Sequence, residues 1–288
     1  MNIKTIPNLT ALSSRSGLGY FCYLLDQAGI SDSKKIGNVA NHTMALLKSE
    51  GKQGIKAHKD LMNLEDRWYE SLRVKKDPDF SVYNEKIYLS EVWCCWDFYA
   101  KKYIKDILTP KLVPPLGIKP YMQDKHDSDG MILDLGNGIG FSSAAFKQKF
   151  PKHVVIGTNV EDSYQWKLNK IISKNYNYEL WNPETFDNFS WTLEKVQLVF
   201  ASEYFEHFET PVEHLIYILN KTKTKVLVAA NAFGADSCGH FDCYIHKGKQ
   251  YEPSAISRLF GKVLKEHGYK KLKTKCWNAR PSIWINDG

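Results

Sequence analysis

The chain of 288 residues has no apolar run near the roughly 20 residues that a membrane helix requires. No membrane segment is therefore expected. Met1 to Leu9 carry no apolar signal core after the lysine, so a cytoplasmic protein is expected, or one in the host cytoplasm if its source is viral. Six cysteines are too few for a disulfide scaffold in a chain this long, and free thiols are expected. Internal repeats and low-complexity tracts are missing, which removes solenoids and disordered tails. No Gly-Lys-Ser/Thr follows a glycine loop, so a Walker phosphate site is excluded.

What remains is ordinary globular composition, 43% hydrophobic and 25% charged. The net charge of +7 is unevenly placed. Residues 1–125 carry 19 basic against 14 acidic side chains, residues 126–244 carry 10 against 15, and residues 245–288 carry 10 against 3. The tail holds Lys262, Lys265, Lys270, Lys271, Lys273 and Lys275. Such a run fits either a solvated face or a contact with a polyanion.

Leu61, Leu64, Trp68 and Leu72 recur at helical spacing, and so do Leu89, Val92, Trp93, Trp96, Tyr99 and Tyr103. This predicts a mainly helical part over residues 1–120, for substrate recognition or for a homodimer contact. Its tryptophans and tyrosines fit a packed core better than a base-stacking surface. Ser31 or Ser33 suits the cap of a helix carrying Ile36, Val39, Ala40, Met44 and Leu47. Pro110, Pro114, Pro115 and Pro120 then stiffen a linker. Beyond it, short apolar runs at 131–135, 153–158, 196–201 and 225–230 alternate with amphipathic stretches, as buried parallel strands do. A helix near 253–267 and strands near 270–276 and 282–286 are expected to close the chain. Residues 121–288 are read as one α/β domain with helices on both faces of its sheet.

Between the first run and the next helix lies Leu133-Asp134-Leu135-Gly136-Asn137-Gly138-Ile139-Gly140. Glycine at every second position lets the backbone turn tightly and approach a ligand. The even Gly-x-Gly-x-Gly spacing differs from the Gly-x-Gly-x-x-Gly of dinucleotide folds.

This segment resembles the first motif of class I S-adenosylmethionine-dependent methyltransferases. The resemblance continues at Val155 to Asn159, at Val199 to Phe208 and at Val226 to Asn231, and it covers roughly residues 126–288. It implies a Rossmann-like sheet and methyl transfer from S-adenosylmethionine. It also implies that Gly136, Asn137, Gly138 and Gly140 cradle the methionine part of the cofactor, that Asp134 supports its amino group, and that Ser202 and Glu203 lie beside it. Asn159 stands where the family has a ribose-binding carboxylate. Asn159→Asp is therefore expected to keep or tighten cofactor binding, and Glu161 or Asp162 could share the role.

Glu203, Glu206 and His207 stand at i, i+3 and i+4, one face of a helix. With His240 they could hold Mg²⁺ or Mn²⁺ and activate a hydroxyl for methylation. The set resembles those of the small-RNA 2′-O-methyltransferases and the ubiquinone-pathway O-methyltransferases. Asp242 could add a ligand. Without a metal, Glu206, His207 or His240 remains to act as a base. Cys238, His240, Cys243 and His246 are a cramped zinc set. Thr210 and Glu213 read as a capping box around Pro211. The expected activity is methylation of a hydroxyl on a nucleic acid or a small molecule. The rival is a cofactor-binding scaffold without catalysis.

Overall fold

The computed structural model describes residues 6–50, 58–113, 117–122, 130–183, 195–276 and 280–286. Pro114 and Pro115 of the expected linker lie outside them, as do residues 123–129 at the expected start of the α/β part.

The N-terminal part is helical as the periodicity requires. Its helices are α1 (Ser14–Gln27), α2 (Ser33–Glu50), α3 (Lys59–Glu70), α4 (Tyr88–Cys94) and α5 (Lys101–Ile107). Helix α1 starts where the Ser13 hydroxyl accepts the Ser16 N–H. A π turn, Ser71–Lys75, ends α3, and a second, Cys95–Ala100, joins α4 to α5. Wide turns of this kind are often found beside functional sites.

Strand β1 (Met131–Leu135) leads through the glycine loop into α6 (Phe141–Lys149). Then follow β2 (Val154–Thr158), α7 (Tyr164–Tyr176), β3 (Glu179–Trp181), β4 (Val196–Ser202), α8 (Pro211–Thr222) and β5 (Val226–Ala230). A hairpin of β6 (Tyr244–His246) and β7 (Lys249–Tyr251) precedes α9 (Pro253–Glu266), β8 (Lys270–Lys271) and β9 (Ser282–Ile285). The seven-stranded sheet runs β3-β2-β1-β4-β5-β9-β8. Strands β1 to β5 pair in parallel, and β9 enters antiparallel between β5 and β8. Strand order reverses between β1 and β4. Open α/β sheets bind ligands at such a switch point, outside the carboxyl ends of the strands.

Alternate strand residues face opposite layers. Ile132, Val155, Leu198, Phe200 and Val228 join a cluster with α1, α2, α4, α6 and α7. Leu133, Ile156, Val199, Ala201 and Leu227 join a second cluster with α3, α8 and α9. The N-terminal helices thus share both cores with the sheet. Tyr20 stacks on Phe141 at 5.9 Å, Trp96 meets the same ring at 5.7 Å, and Trp68 and Trp93 are fully buried. Each such side chain withdraws enough apolar area to contribute roughly 1.5–3 kcal/mol. Among the described residues, the large apolar side chains that stay exposed (Ile6, Met62, Val74, Phe80 and Val160) are scattered singly, so the helices direct their apolar faces inward. No described helix is long and apolar enough to cross a membrane.

Three expectations need correction. The strand foreseen at 270–276 is only Lys270–Lys271, a short sheet edge. Lysines on an edge strand oppose pairing with another chain, which accounts for part of the basic tail. Thr210 makes no side-chain cap, and Glu213 instead accepts the Lys247 N–H at 2.9 Å and pairs with His246 at 2.8 Å, tying α8 to the hairpin. The Glu203–His207 segment is not an α-helix.

Candidate active site

At the switch point lies a cavity of about 1840 Å³, floored by the β1–α6 loop and roofed by α4 and its π turn. The loop is built to bend. Gly136, Gly138 and Gly140 have φ of 58°, 55° and 92°, a region that strains any side chain. Gly136 donates its N–H to Thr158 Oγ1 and Asn137 donates its own to the Thr158 carbonyl, both at 3.0 Å, fastening the loop to β2. Gly136 and Gly138 line the cavity. Gly140 does not, because it packs on Tyr178 and Asn169, where a Cβ would lie 2.2 and 2.4 Å from their polar atoms. Its glycine is set by packing under the loop.

Asp134 is 1% exposed and accepts the Ser142 and Ser143 hydroxyls at 2.6 Å each. Burial pushes its carboxyl up to about 7, and the two serines hold it back. A cationic ligand at the cavity floor would favour its charged form. The Asn137 amide nitrogen is engaged within the protein by Ser143 at 2.9 Å and Asn169 at 2.8 Å.

Asn159 lines the cavity, and its side chain is also engaged within the protein. Its amide nitrogen donates to the Gly138 carbonyl at 2.6 Å, and its oxygen accepts the Val160 N–H at 2.8 Å. Only this amide orientation satisfies both partners. Asparagine here holds the glycine loop, and a carboxylate would set oxygen against oxygen. Glu161 and Asp162 are exposed and do not line the cavity.

After β4 the chain turns sharply. Glu203 has φ 49°, and only Phe205–His207 follow as a short 3₁₀ turn. The i, i+3, i+4 face therefore never forms. Glu203 points to the cavity, whereas Glu206 is fully buried, lies outside the cavity lining and accepts the Ala232 N–H at 2.7 Å. Burial and the Glu206 charge push the Glu203 carboxyl well above the carboxylate range; Arg280 opposes this, and a hydrogen bond to Glu206 adds to it. Among the described residues, no three His, Cys, Asp or Glu side chains converge as a metal site. The arrangement of Glu203, Glu206, His207 and His240 does not fit Mg²⁺ or Mn²⁺. Arg73 grips Asp242 with two bonds of 2.7 Å, so that residue is no ligand either. The zinc set is dispersed as well. Cys238 is buried, Cys243 accepts from Gln250 and His246 pairs with Glu213.

His207 and His240 do meet, edge to face with ring centres 4.8 Å apart, and both line the cavity. Burial, then the His240 neighbour, lowers His207 to about 3, so it is neutral at physiological pH. Its Nδ1 lies 2.9 Å from the Tyr83 hydroxyl. His240 Nδ1 lies 2.8 Å from the Ala235 carbonyl. A carbonyl only accepts, so Nδ1 carries the hydrogen, and in the neutral ring the lone pair is on Nε2.

Sequence reasoning missed Tyr83, Tyr88, Glu91, Cys95, Tyr103 and Arg280, which all line the cavity. The signal was partly present. Tyr88, Glu91, Cys95, Tyr99 and Tyr103 form one helical stripe whose polar members do not suit a closed core.

No family model matches the chain, and no curated protein matches it in sequence. Solved structures do match. The CurJ carbon methyltransferase aligns at TM-score 0.55 and 12% identity, over 95% of this chain and 80% of that one. Fibrillarin from Methanococcus jannaschii aligns at TM-score 0.45 and 15% identity, over 65% and 76%. An O-methyltransferase family protein from Burkholderia thailandensis aligns at 0.44 and 10%, over 87% and 71%. The fold is that of the class I methyltransferases, as the sheet order and the first match establish.

Proposed function

We propose that this protein transfers a methyl group from S-adenosylmethionine to a hydroxyl of a small acceptor. The observation that carries the reading is the floor of the cavity. Two left-handed glycines and a buried carboxyl lie together at the sheet's switch point. Asp134 suits the cofactor's amino group, Gly136 and Gly138 leave its path clear, and Ser202 and Glu203 flank it. The bound cofactor would supply an electrophilic methyl on a sulfonium sulfur. His240, whose Nδ1 is engaged by the Ala235 carbonyl, would in its neutral form offer Nε2 to the acceptor's proton. Glu206, spent on Ala232, suits a structural role.

A pocket for one drug-sized ligand measures roughly 300–1,000 Å³. The cavity of about 1840 Å³ leaves room for cofactor and acceptor together. That space, and a basic tail explained in part by a sheet edge, favour a small acceptor over nucleic acid. Calorimetry with S-adenosylhomocysteine tests the first half. Gly138→Val should abolish binding without unfolding the chain, because φ 55° is strained for valine and its Cβ would lie 2.6 Å from the Val92 side chain. Unchanged affinity would overturn the reading. Turnover of S-adenosylmethionine with a metabolite extract tests the second half, and binding without turnover would favour a scaffold.

A further inference from the structure

The cavity continues beyond the glycine floor to a second end. It is formed by α3, the 3₁₀ turn Phe80–Asn84, α4 and the loop after β5. Glu65, Glu91 and Asp236 enter it from three separate segments. Among the described residues Arg280 is the only lysine or arginine in the lining, and it acts on Glu203 and Tyr103. Arg67 and Arg73 are engaged elsewhere. Arg67 binds Asp79 at 3.0 Å and Glu85 at 2.8 Å, and Arg73 binds Asp242 at 2.7 Å.

These carboxylates are held in place. Ser237 donates its hydroxyl to Glu91 at 2.6 Å. Tyr69 accepts the Ser237 N–H at 3.2 Å and reaches Asp236 at 3.5 Å. Like charges gathered in this way cost energy unless a positive group joins them. A separate observation points to a ligand. Tyr88 is 7% exposed, lines the cavity, and has no hydrogen-bond partner for its hydroxyl among the described residues. A buried phenol normally finds one. Its ring meets that of Tyr83 at 5.3 Å, and Tyr83 lies 6.4 Å from Phe80, so aromatic faces wall the same space. Aromatic walls with carboxylates behind them are the chemistry that recognises an organic cation.

We propose that this end of the cavity binds the ammonium group of a small organic cation, with Glu65, Glu91 and Asp236 as counter-charge, Phe80, Tyr83 and Tyr88 as walls, and the Tyr88 hydroxyl as a polar contact. Naming that cation the methyl acceptor rests on the methyltransferase reading; its charge does not. Glu91 supports the assignment. Burial raises its carboxyl to about 7, with Glu65 adding to the rise and Ser237 opposing it, while Tyr83, Tyr88, Cys94, Cys95 and Cys238 also surround it. A bound cation would draw that carboxyl to its charged form, so binding at neutral pH should release a proton.

The test is calorimetry on the full chain, with and without saturating S-adenosylhomocysteine. Three probes of matched shape are tyramine, 4-hydroxyphenethyl alcohol and 3-(4-hydroxyphenyl)propionate. The amine should bind at least about tenfold more tightly than the alcohol, and the carboxylate should not bind, as expected for a desolvated charge contact. Glu91→Gln should weaken the amine about tenfold, leave the alcohol unchanged and end proton release. Glu65→Gln serves the same purpose if the first variant does not fold. Equal binding of amine and alcohol, no amine binding, or an unaltered preference in both variants would overturn the proposal. Failure of S-adenosylhomocysteine binding would instead strike the methyltransferase reading, because the amine titration is also run without it.

Discussion

Asn159→Asp separates two roles for one side chain. If the residue faced a ribose, a carboxylate there would strengthen binding. In the structure its amide nitrogen gives a 2.6 Å hydrogen bond to the Gly138 carbonyl and lies 3.3 Å from Gln165 Oε1, at 9% exposure. Aspartate removes the donor, a loss of about 1 kcal/mol, and sets an ionised oxygen against a carbonyl, which costs roughly 1–3 kcal/mol more in a buried place. Asn169 still donates to Gly138, so the carbonyl is not stranded. The sum is about 2–4 kcal/mol, or a melting temperature lower by roughly 5–10 °C. The new carboxyl would have a raised folded pKa. The deficit should therefore be smallest below about pH 4, where folded and unfolded chains are both protonated, and complete above the folded pKa. Affinity for S-adenosylhomocysteine should fall with the loop. Thermal unfolding across pH, paired with calorimetry, measures both effects. A variant of native stability at every pH that binds more tightly would refute the bracket and return Asn159 to the ribose.

Asp134 and Glu91, both raised to about 7 by burial, favour the folded state most below roughly pH 4, and that contribution should disappear as pH rises through 7. Denaturant unfolding should show stability falling over this window, with a flatter curve for Asp134→Asn; an identical curve would refute the assignment. Methyl transfer should persist in full in EDTA. Loss of activity restored by Mg²⁺ or Mn²⁺ would reinstate Glu203, Glu206, His207 and His240 as ligands. Neutralising Lys270, Lys271 and Lys273 should leave any RNA or DNA binding with the same salt slope, since edge lysines need no polyanion; a slope reduced by about three would show phosphate contacts.

The fold was legible because its signals are local. An apolar run that ends in alternating glycines marks a buried strand at a switch point, and the four longest strands fall within a residue or so of the pattern. Strand β3 escaped notice because three half-exposed edge residues carry no period. The helical stripe of α4 was legible as a helix but not as a cavity wall. Whether Glu91 and Tyr99 face a core or a hollow depends on what lies opposite, and those partners come from separate segments, among them Glu65, the glycine loop and the loop after β5.

The expected ligand helix did not form, for a more instructive reason. Its spacing argument required Glu203 to Phe208 to be helical, and nothing in the local sequence forbids that. The decision is made elsewhere. Glu203 donates its N–H to Ala230 at 2.7 Å, extending the β4–β5 ladder one residue past the strand. Glu206 then reaches across to the Ala232 N–H, just beyond the end of β5. Both bonds satisfy backbone groups at buried strand ends, where leaving a group unmade costs about 1–3 kcal/mol each. An isolated helical turn offers less, because nucleation is unfavourable. Pro211 also opens α8 four residues after His207, which leaves little room for a separate helix. The left-handed backbone at Glu203 is the consequence, and it leaves Glu203 at the cavity and Glu206 behind it against Ala232, with the two carboxyls still in contact. One joins the cavity and the other closes the sheet, so a spacing that looks like a ligand set divides into a site residue and a structural one.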